Sequence, residues 1–190
     1  MLRLGIDASG GDNGEIEVCK AIVKTVASND TITFYVFGDE NIIRDSFSKL
    51  NFTLNDRVII VDSKEKISMN DHPVFALRNK TNSSIVKAGN SLLNNEIDAF
   101  ISAGNTGALV ALAQFYLKPI NGVDRPVVAA IVPTDKAPML LPVSHAEEER
   151  SQHQPRPDPV HHAHHLRAFL CTLTGNNYGN RESIKFSICY

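Results

Sequence analysis

The chain has no tryptophan, only three cysteines among its 190 residues and almost no net charge. The cysteines are odd in number and contain no Cys-x-x-Cys pair, so the sequence predicts a reduced protein and not a disulfide scaffold. A net charge of −2 argues against a basic nucleic-acid-binding surface. No apolar run reaches the roughly 18 residues of a membrane-spanning helix, and the first run ends at Asp7, too early for a signal peptide. We therefore expect a cytoplasmic protein.

Residues 1–141 alternate between short apolar runs and stretches with helical periodicity. The hydrophobic fraction of 43% gives a chain of this length one sizeable core. Nearly all-apolar strands that alternate with helices are typical of a parallel sheet covered on both faces. The sequence therefore predicts an α/β fold, a three-layer α/β/α Rossmann-like arrangement with a mostly parallel sheet. The predicted strands and helices, in chain order, are 2–6, 15–27, 32–37, 40–50, 57–61, 73–80, 83–94, 99–102, 106–117 and 126–132.

The composition changes at about Pro142. Six of the seven histidines fall between His145 and His165, and prolines alternate with charged residues over 155–159. Alternating prolines exclude helix and disfavour a central strand. We predict a poorly ordered His/Pro-rich tail over 142–190, separate from an α/β domain over 1–141. The histidine run 161–165 lacks a carboxylate framework, and we expect no physiological metal site there.

The first motif, 7–14, reads Asp-Ala-Ser-Gly-Gly-Asp-Asn-Gly and lies between a predicted strand and a predicted helix. In open α/β sheets ligands bind at the carboxyl ends of the strands, where glycines let the backbone approach them closely. The alternative is a tight turn that uses glycine's conformational freedom. Gly10 and Gly11 are adjacent, so the dinucleotide fingerprint G-x-G-x-x-G is absent.

The second motif, 102–108, has the same construction: small polar residues at a strand end open an apolar helix. Ser102, Asn105 and Thr106 offer side-chain donors to a ligand. The alternative is a helix N-cap made by Asn105 or Thr106. No Gly-Lys-Ser/Thr follows, so it is not a phosphate-binding P-loop of the Walker type. Two such loops on one sheet edge favour ligand contact at both.

The third motif spans 69–84 and places Arg78 and Lys80 near the pair Ser83-Ser84. Arginine and lysine both recognise phosphate, so these two cations are candidates to meet an anionic substrate. The alternative, favoured by the local pattern alone, is a solvated helix face whose next helix is capped by the serines.

Together these motifs resemble those of the PlsX-type phosphate acyltransferases. The first resembles that family's opening Asp-Ala-Met-Gly-Gly-Asp, with Ser9 in place of Met, and the second its Ser-Ala-Gly-Asn-Thr-Gly-Ala block. Parts of the third, and Asp124-Arg125-Pro126, are similar to two further blocks. The resemblance covers residues 1–141, less than half of a family chain. The later family motifs Leu-Asp-x-Gly-Ala-Asn and Gly-Glu-Glu-x-x-Lys-Gly are missing, and we hypothesise a frameshift near codon 142, which the DNA sequence there would test.

The resemblance implies transfer of an acyl chain from acyl carrier protein to inorganic phosphate, for phospholipid synthesis. It implies a homodimer, no cofactor, and peripheral membrane association through the missing half. Asp7 and Asp12 are expected to orient loops or donors, and no catalytic base can be named, since positioned phosphate is a competent nucleophile. The predicted phosphate or substrate contacts are Asp7, Ser9, Gly10, Gly11, Asp12, Arg78, Lys80, Ser102, Gly104, Asn105, Thr106 and Gly107.

Two alternatives to an active acyltransferase stay open. The chain would be a catalytically inactive fragment of that enzyme if the missing half supplies the rest of the site. It would otherwise be a stand-alone phosphate- or nucleotide-binding α/β domain. Acyl phosphate formation by the purified chain would contradict the first, and phosphate-dependent stabilisation without turnover would favour the second.

Overall fold

The computed structural model describes residues 1–11, 14–118, 128–132, 139–143 and 185–186. Asp12, the histidine run and the alternating prolines lie outside the described residues. The strands are β1 Leu2–Asp7, β2 Ile32–Gly38, β3 Val58–Asp62, β4 Ala99–Ile101, β5 Val128–Val132, β6 Met139–Val143 and β7 Lys185–Phe186. The helices are α1 Glu15–Ser28, α2 Glu40–Lys49, α3 Pro73–Asn79, α4 Ser84–Leu93 and α5 Thr106–Leu112, which continues as a π-helical turn over Ala113–Leu117. None of the helices in these ranges combines the length and the hydropathy needed to cross a bilayer.

The described strands fall into two units. The first holds β1 to β4, all five helices and β7, and its sheet has the order β3-β2-β1-β4-β7 with every pair parallel. The second holds β5 and β6, which pair antiparallel with Val128 opposite Val143. The strand predicted at 126–132 therefore forms, but its partner β6 was not predicted. The domain boundary at residue 141 stays a prediction.

Alternate residues of β2 separate the core of the first unit into two layers. Phe34 and Val36 pack in a cluster with residues of α1 and α2. Phe37 packs, with Tyr35 at its edge, in a second cluster with residues of α3, α4 and α5. Because successive side chains of a strand point to opposite faces, the helices lie on both faces of the sheet. The predicted three-layer α/β/α fold is confirmed.

The order of the strands creates a crevice beside β1. The chain leaves β1 for α1, which packs on one face, and leaves the neighbouring strand β4 for α5, which packs on the other. Where connections diverge in this way, the carboxyl ends of the two strands face a ligand-binding crevice in open α/β folds. The first and second sequence motifs begin at these two strand ends.

Candidate functional site

The first two motifs meet through Asp7 and Ser102. Asp7 is the last residue of β1, and Ser102 is the first residue after β4. The Ser102 hydroxyl donates to Asp7 Oδ2 over 2.7 Å, and the two residues are only 2% and 1% exposed. Because parallel neighbours end at the same sheet edge, residues 95 positions apart in the chain become hydrogen-bonded.

The Asp7 carboxylate also collects backbone donors from its own loop. Its Oδ1 accepts the N–H of Ser9 over 3.0 Å. Burial raises the pKa of Asp7, and hydrogen bonds from Ser102, from Ser84 and from the backbone of Ser9 and Gly10 act in the opposite direction. The N–H groups of this part of the glycine loop are therefore directed at a carboxylate of the protein itself.

The Ser102 hydroxyl has a second partner, which fixes its orientation. The N–H of Gly104 donates to Ser102 Oγ over 3.0 Å, while the hydroxyl proton goes to Asp7. The two loops also touch directly, since a Cβ atom built on Gly10 would lie 2.8 Å from the Gly104 nitrogen. A side chain at position 10 would not fit, so glycine is needed here for close approach of two backbones.

Asn105 connects the second motif to the third. It is the N-cap of α5, where its Oδ1 accepts the N–H of Ala108 over 2.9 Å. Its Nδ2 points the other way, within 3.0 to 3.3 Å of the backbone carbonyls of Ser68, Met69 and Asp71. The N-cap alternative is thus confirmed for Asn105, and both ends of its amide are engaged by the protein.

Gly107 keeps the third motif close to the second. A Cβ atom at Gly107 would lie 2.7 Å from Pro73 Cγ, at the start of α3. The absence of a side chain there lets the first turns of α3 and α5 pack against each other. Thr106, the first residue of α5, lies between Gly107 and the cap residue Asn105.

The two predicted cations have different environments. Lys80 Nζ binds Asp71 Oδ2 over 2.5 Å and the carbonyl of Lys66 over 2.9 Å, and the first of these contacts lowers the pKa of Asp71. Arg78 is exposed and forms no ion pair with any residue that the structure describes. Lys80 is therefore committed to holding its own loop, and Arg78 is the cation that solvent and solutes can reach.

Ser9 and Gly11, the remaining predicted residues that the structure describes, lie at the same edge. Ser9 is buried, and its Oγ would lie 2.9 Å from a Cβ atom on Gly38, at the end of β2. Gly11 is half-buried, and the nearest atom to a Cβ there is the Ala103 Cβ at 3.8 Å. The structure thus brings Ser9, Gly10 and Gly11 beside the loop after β4.

Three further polar groups were not predicted as site residues. Ser84 lies close enough to Asp7 to influence its pKa. The hydroxyls of Ser63 and Ser83 are buried and have no hydrogen-bond partner within the described part of the chain. Ser63 follows β3, so the rule that ligands bind at strand carboxyl ends could have identified it. Ser83 was expected to cap α4, and it is the N-cap, but its side chain makes no capping hydrogen bond.

Comparison with known proteins decides the family. The sequence model of a family described as "Fatty acid synthesis protein" matches residues 2–152. The chain belongs to this family. Among curated relatives named phosphate acyltransferase, those of Clostridium botulinum and Clostridium beijerinckii are 42% and 37% identical over 140 residues, 74% of this chain. That of Methylococcus capsulatus is 37% identical over 134 residues, 70% of this chain. The resemblance inferred from the motifs is confirmed.

These matches cover only part of each relative. The chain spans 42% of the two clostridial proteins and 40% of the Methylococcus protein. Among solved structures, the EutD phosphotransacetylase from Staphylococcus aureus matches with a TM-score of 0.49 and 19% identity, over 73% of this chain and 44% of that protein.

Proposed function

We propose that this chain forms part of an enzyme that transfers an acyl group from acyl carrier protein to inorganic phosphate. The observation that carries the proposal is the meeting of the two glycine-containing motifs at the divergence point of β1 and β4, in a chain related to proteins named phosphate acyltransferase. Divergence points of this kind are where open α/β sheets bind ligands.

The reaction requires a site that positions phosphate against the thioester and stabilises the charge that develops. A phosphate oxygen attacks the thioester carbonyl carbon, the new C–O bond forms, the C–S bond breaks, and the proton of hydrogen phosphate passes to the departing thiolate. A negative charge develops on the carbonyl oxygen, and fixed donors stabilise it best. Phosphate held in line with the carbonyl needs no separate base to act as nucleophile.

Within this proposal the residues divide into loop-holding groups and substrate-facing groups. Asp7, Ser102 and Asn105 hold the three motifs together through hydrogen bonds within the protein. Arg78 faces the substrate anion, since it is exposed and lacks an ion pair within the described residues. Lys80 and Gly10 also belong to the loop-holding groups, through the pair with Asp71 and the contact with Gly104. The other proposed substrate contacts, from the loops themselves, are Ser9, Gly11, Asp12, Gly104, Thr106 and Gly107.

The relationship to phosphate acyltransferases also suggests where the enzyme acts and how it assembles. We propose a cytoplasmic homodimer that supplies acyl phosphate to phospholipid synthesis and touches the membrane peripherally, through segments of the relatives that this chain does not match. Acyl carrier protein would present the thioester, and no cofactor takes part in the reaction as written.

Formation of acyl phosphate tests the proposal. The purified chain is incubated with acyl-acyl carrier protein and phosphate, and hydroxylamine then traps acyl phosphate as a hydroxamate that mass spectrometry detects. We expect phosphate-dependent hydroxamate that falls in Arg78→Met and persists in Arg44→Met, whose arginine pairs with Glu40 on α2. Absence of both hydroxamate and any phosphate-dependent rise in Tm would overturn the proposal.

A binding domain without turnover is the second candidate function. It is favoured by the coverage of the relatives, since this chain spans 42% of the clostridial proteins. A phosphate-dependent rise in Tm with no hydroxamate would identify it.

A further inference from the structure

We propose that Asp7 is a positioning residue: its buried carboxylate fixes the loop after β1 to the loop after β4 and leaves substrate contact to other groups. The substrate of these loops rests on the proposed function. The attachment between the two loops does not rest on the proposed function, and amide hydrogen exchange measures it separately.

The geometry gives the carboxylate partners on both loops. Asp7 Oδ1 accepts the N–H of Ser9, the residue directly before the glycine pair, and Oδ2 accepts the hydroxyl of Ser102 on the other loop. Ser102 in turn accepts the N–H of Gly104. One side chain therefore sets the distance and the orientation of two segments that are 95 residues apart in sequence.

Steric contacts exclude a ligand from the carboxylate itself. Asp7 is 1% exposed. A Cβ atom on Gly10 would lie 2.3 Å from Asp7 Oδ2, and one on Gly104 would lie 3.2 Å from the same oxygen. Gly10 and Gly104 therefore pack closely around this oxygen, and the carboxyl has almost no surface that a substrate could reach. Asp7 therefore acts on a substrate only through the loops that it holds.

Burying the charge of Asp7 is unfavourable by itself, and its hydrogen bonds to both loops offset that cost. Burial raises the pKa of Asp7, which means that the ionised form is disfavoured by the folded environment. Asparagine has the same shape and could accept from Ser9 without a charge. What asparagine cannot do is accept from Ser9, Gly10 and Ser102 together, because one of its two terminal atoms is a donor. Acceptance at both oxygens is what couples the loops.

The test compares Asp7→Asn with Asp62→Asn. Asp62 is the matched control, since it ends β3, a strand of the same sheet that does not pair with β1, and its Oδ1 accepts the backbone N–H of Glu40. Apparent phosphate affinity is read from Tm over a phosphate series at constant ionic strength, and loop order from amide hydrogen exchange of Ser9, Gly10 and Gly104. Ser102→Ala, which leaves the Asp7 charge in place, serves as a second variant in case Asp7→Asn does not fold.

We expect Asp7→Asn to unfold at a Tm no lower than that of the parent without phosphate, to weaken phosphate binding by about tenfold or more, and to speed exchange at the three amides. Asp62→Asn should bind phosphate as the parent does. Equal phosphate affinity in parent and Asp7→Asn would overturn the inference. If the parent itself shows no phosphate response, the proposed function fails. The exchange rates alone then decide the role of Asp7, and unchanged rates at the three amides in both Asp7→Asn and Ser102→Ala would refute the inference.

Discussion

The contact between the two glycine loops can be tested by adding one methyl group at Gly10. A Cβ atom there would lie 2.3 Å from Asp7 Oδ2 and 2.8 Å from the backbone nitrogen of Gly104, and ordinary contacts begin near 3.4 Å. One of these groups must therefore move by about an ångström. Neither is the free end of a flexible side chain, because Asp7 is held by Ser102 and by the backbone of Ser9.

The magnitude follows from these two effects. Overpacking of a closely fitted site costs about 1–3 kcal/mol. Lengthening a hydrogen bond to a charged group by an ångström removes most of a contribution of about 1.5–3 kcal/mol. We expect Gly10→Ala to lower the free energy of unfolding by about 3 kcal/mol, a large share of the total of about 5–15 kcal/mol that is usual for a protein.

Gly11 supplies the matched control in the next position. The nearest atom to a Cβ built there is Ala103 Cβ at 3.8 Å, an ordinary contact distance. Gly11→Ala changes the unfolded chain as Gly10→Ala does, so effects on the unfolded state cancel in the comparison. We expect Gly11→Ala to alter stability by no more than about 0.5 kcal/mol.

The assay is urea unfolding at pH 7 and 25 °C, followed by far-UV circular dichroism because the chain has no tryptophan. The free energies come from linear extrapolation with a common slope. The reasoning is refuted if Gly10→Ala and Gly11→Ala unfold at the same urea concentration, since the close approach of the two loops would then not exist in solution.

Three further predictions concern capping, thiol reactivity and pH. Asp39→Ala should lower the free energy of unfolding by about 1 kcal/mol, because Asp39 accepts two N–H groups at the start of α2. Ser83→Ala should lower it by less than about 0.5 kcal/mol, because the Ser83 hydroxyl makes no capping hydrogen bond. Equal losses for the two variants on urea unfolding would contradict this prediction. Burial raises the pKa of Cys19 to about 11, so only about one thiol in a thousand is ionised at pH 8 and iodoacetamide should label the Cys19 peptide only after unfolding. The folded pKa of Asp7 is raised above 3.8, so ionisation of Asp7 lowers the free energy of unfolding as pH rises from 3.8 toward the folded pKa. Asp7→Asn should therefore gain stability relative to the parent between pH 4 and pH 7. A difference in unfolding free energy between the two that does not change with pH would contradict this prediction.

The layers of the fold were predictable because they follow from the local hydrophobic spacing of each strand and helix. The apolar run of β2 and the 3.6-residue spacing in α1 and α4 fix which elements are strands and which are helices. The end of α5 was not predictable, since the same apolar spacing suits an α-helix or the π-helical turn over Ala113–Leu117. Strand β6 was missed because Pro142 lies inside it, and proline is tolerated only at strand positions that need no N–H donor.

The site was predictable as a set of loops but not as a set of contacts. Asp7 and Ser102 were both placed at strand ends, yet no local pattern states that β1 and β4 are neighbours, which is what joins them. Asn105 has an amide that suits a cap and a ligand equally, and only the position of residues 68–71 decides that its Nδ2 binds the protein. Lys80 and Arg78 likewise differ through contacts with other segments, since Lys80 pairs with Asp71 and binds the carbonyl of Lys66.

The same contacts change the interpretation of the first motif. A glycine pair at a strand end suggests a cradle of N–H groups for an anion, but the N–H of Ser9 is bonded to Asp7, and that of Gly10 is directed at it. A substrate phosphate would have to displace an internal carboxylate that is only 1% exposed to use those donors. Gly10 is therefore required for loop packing, and Gly11, which has room beside it, is the position of the pair where the backbone can approach a ligand. Substituting a larger residue such as valine at Gly11 should then weaken phosphate binding without the loss of stability expected from Gly10→Ala.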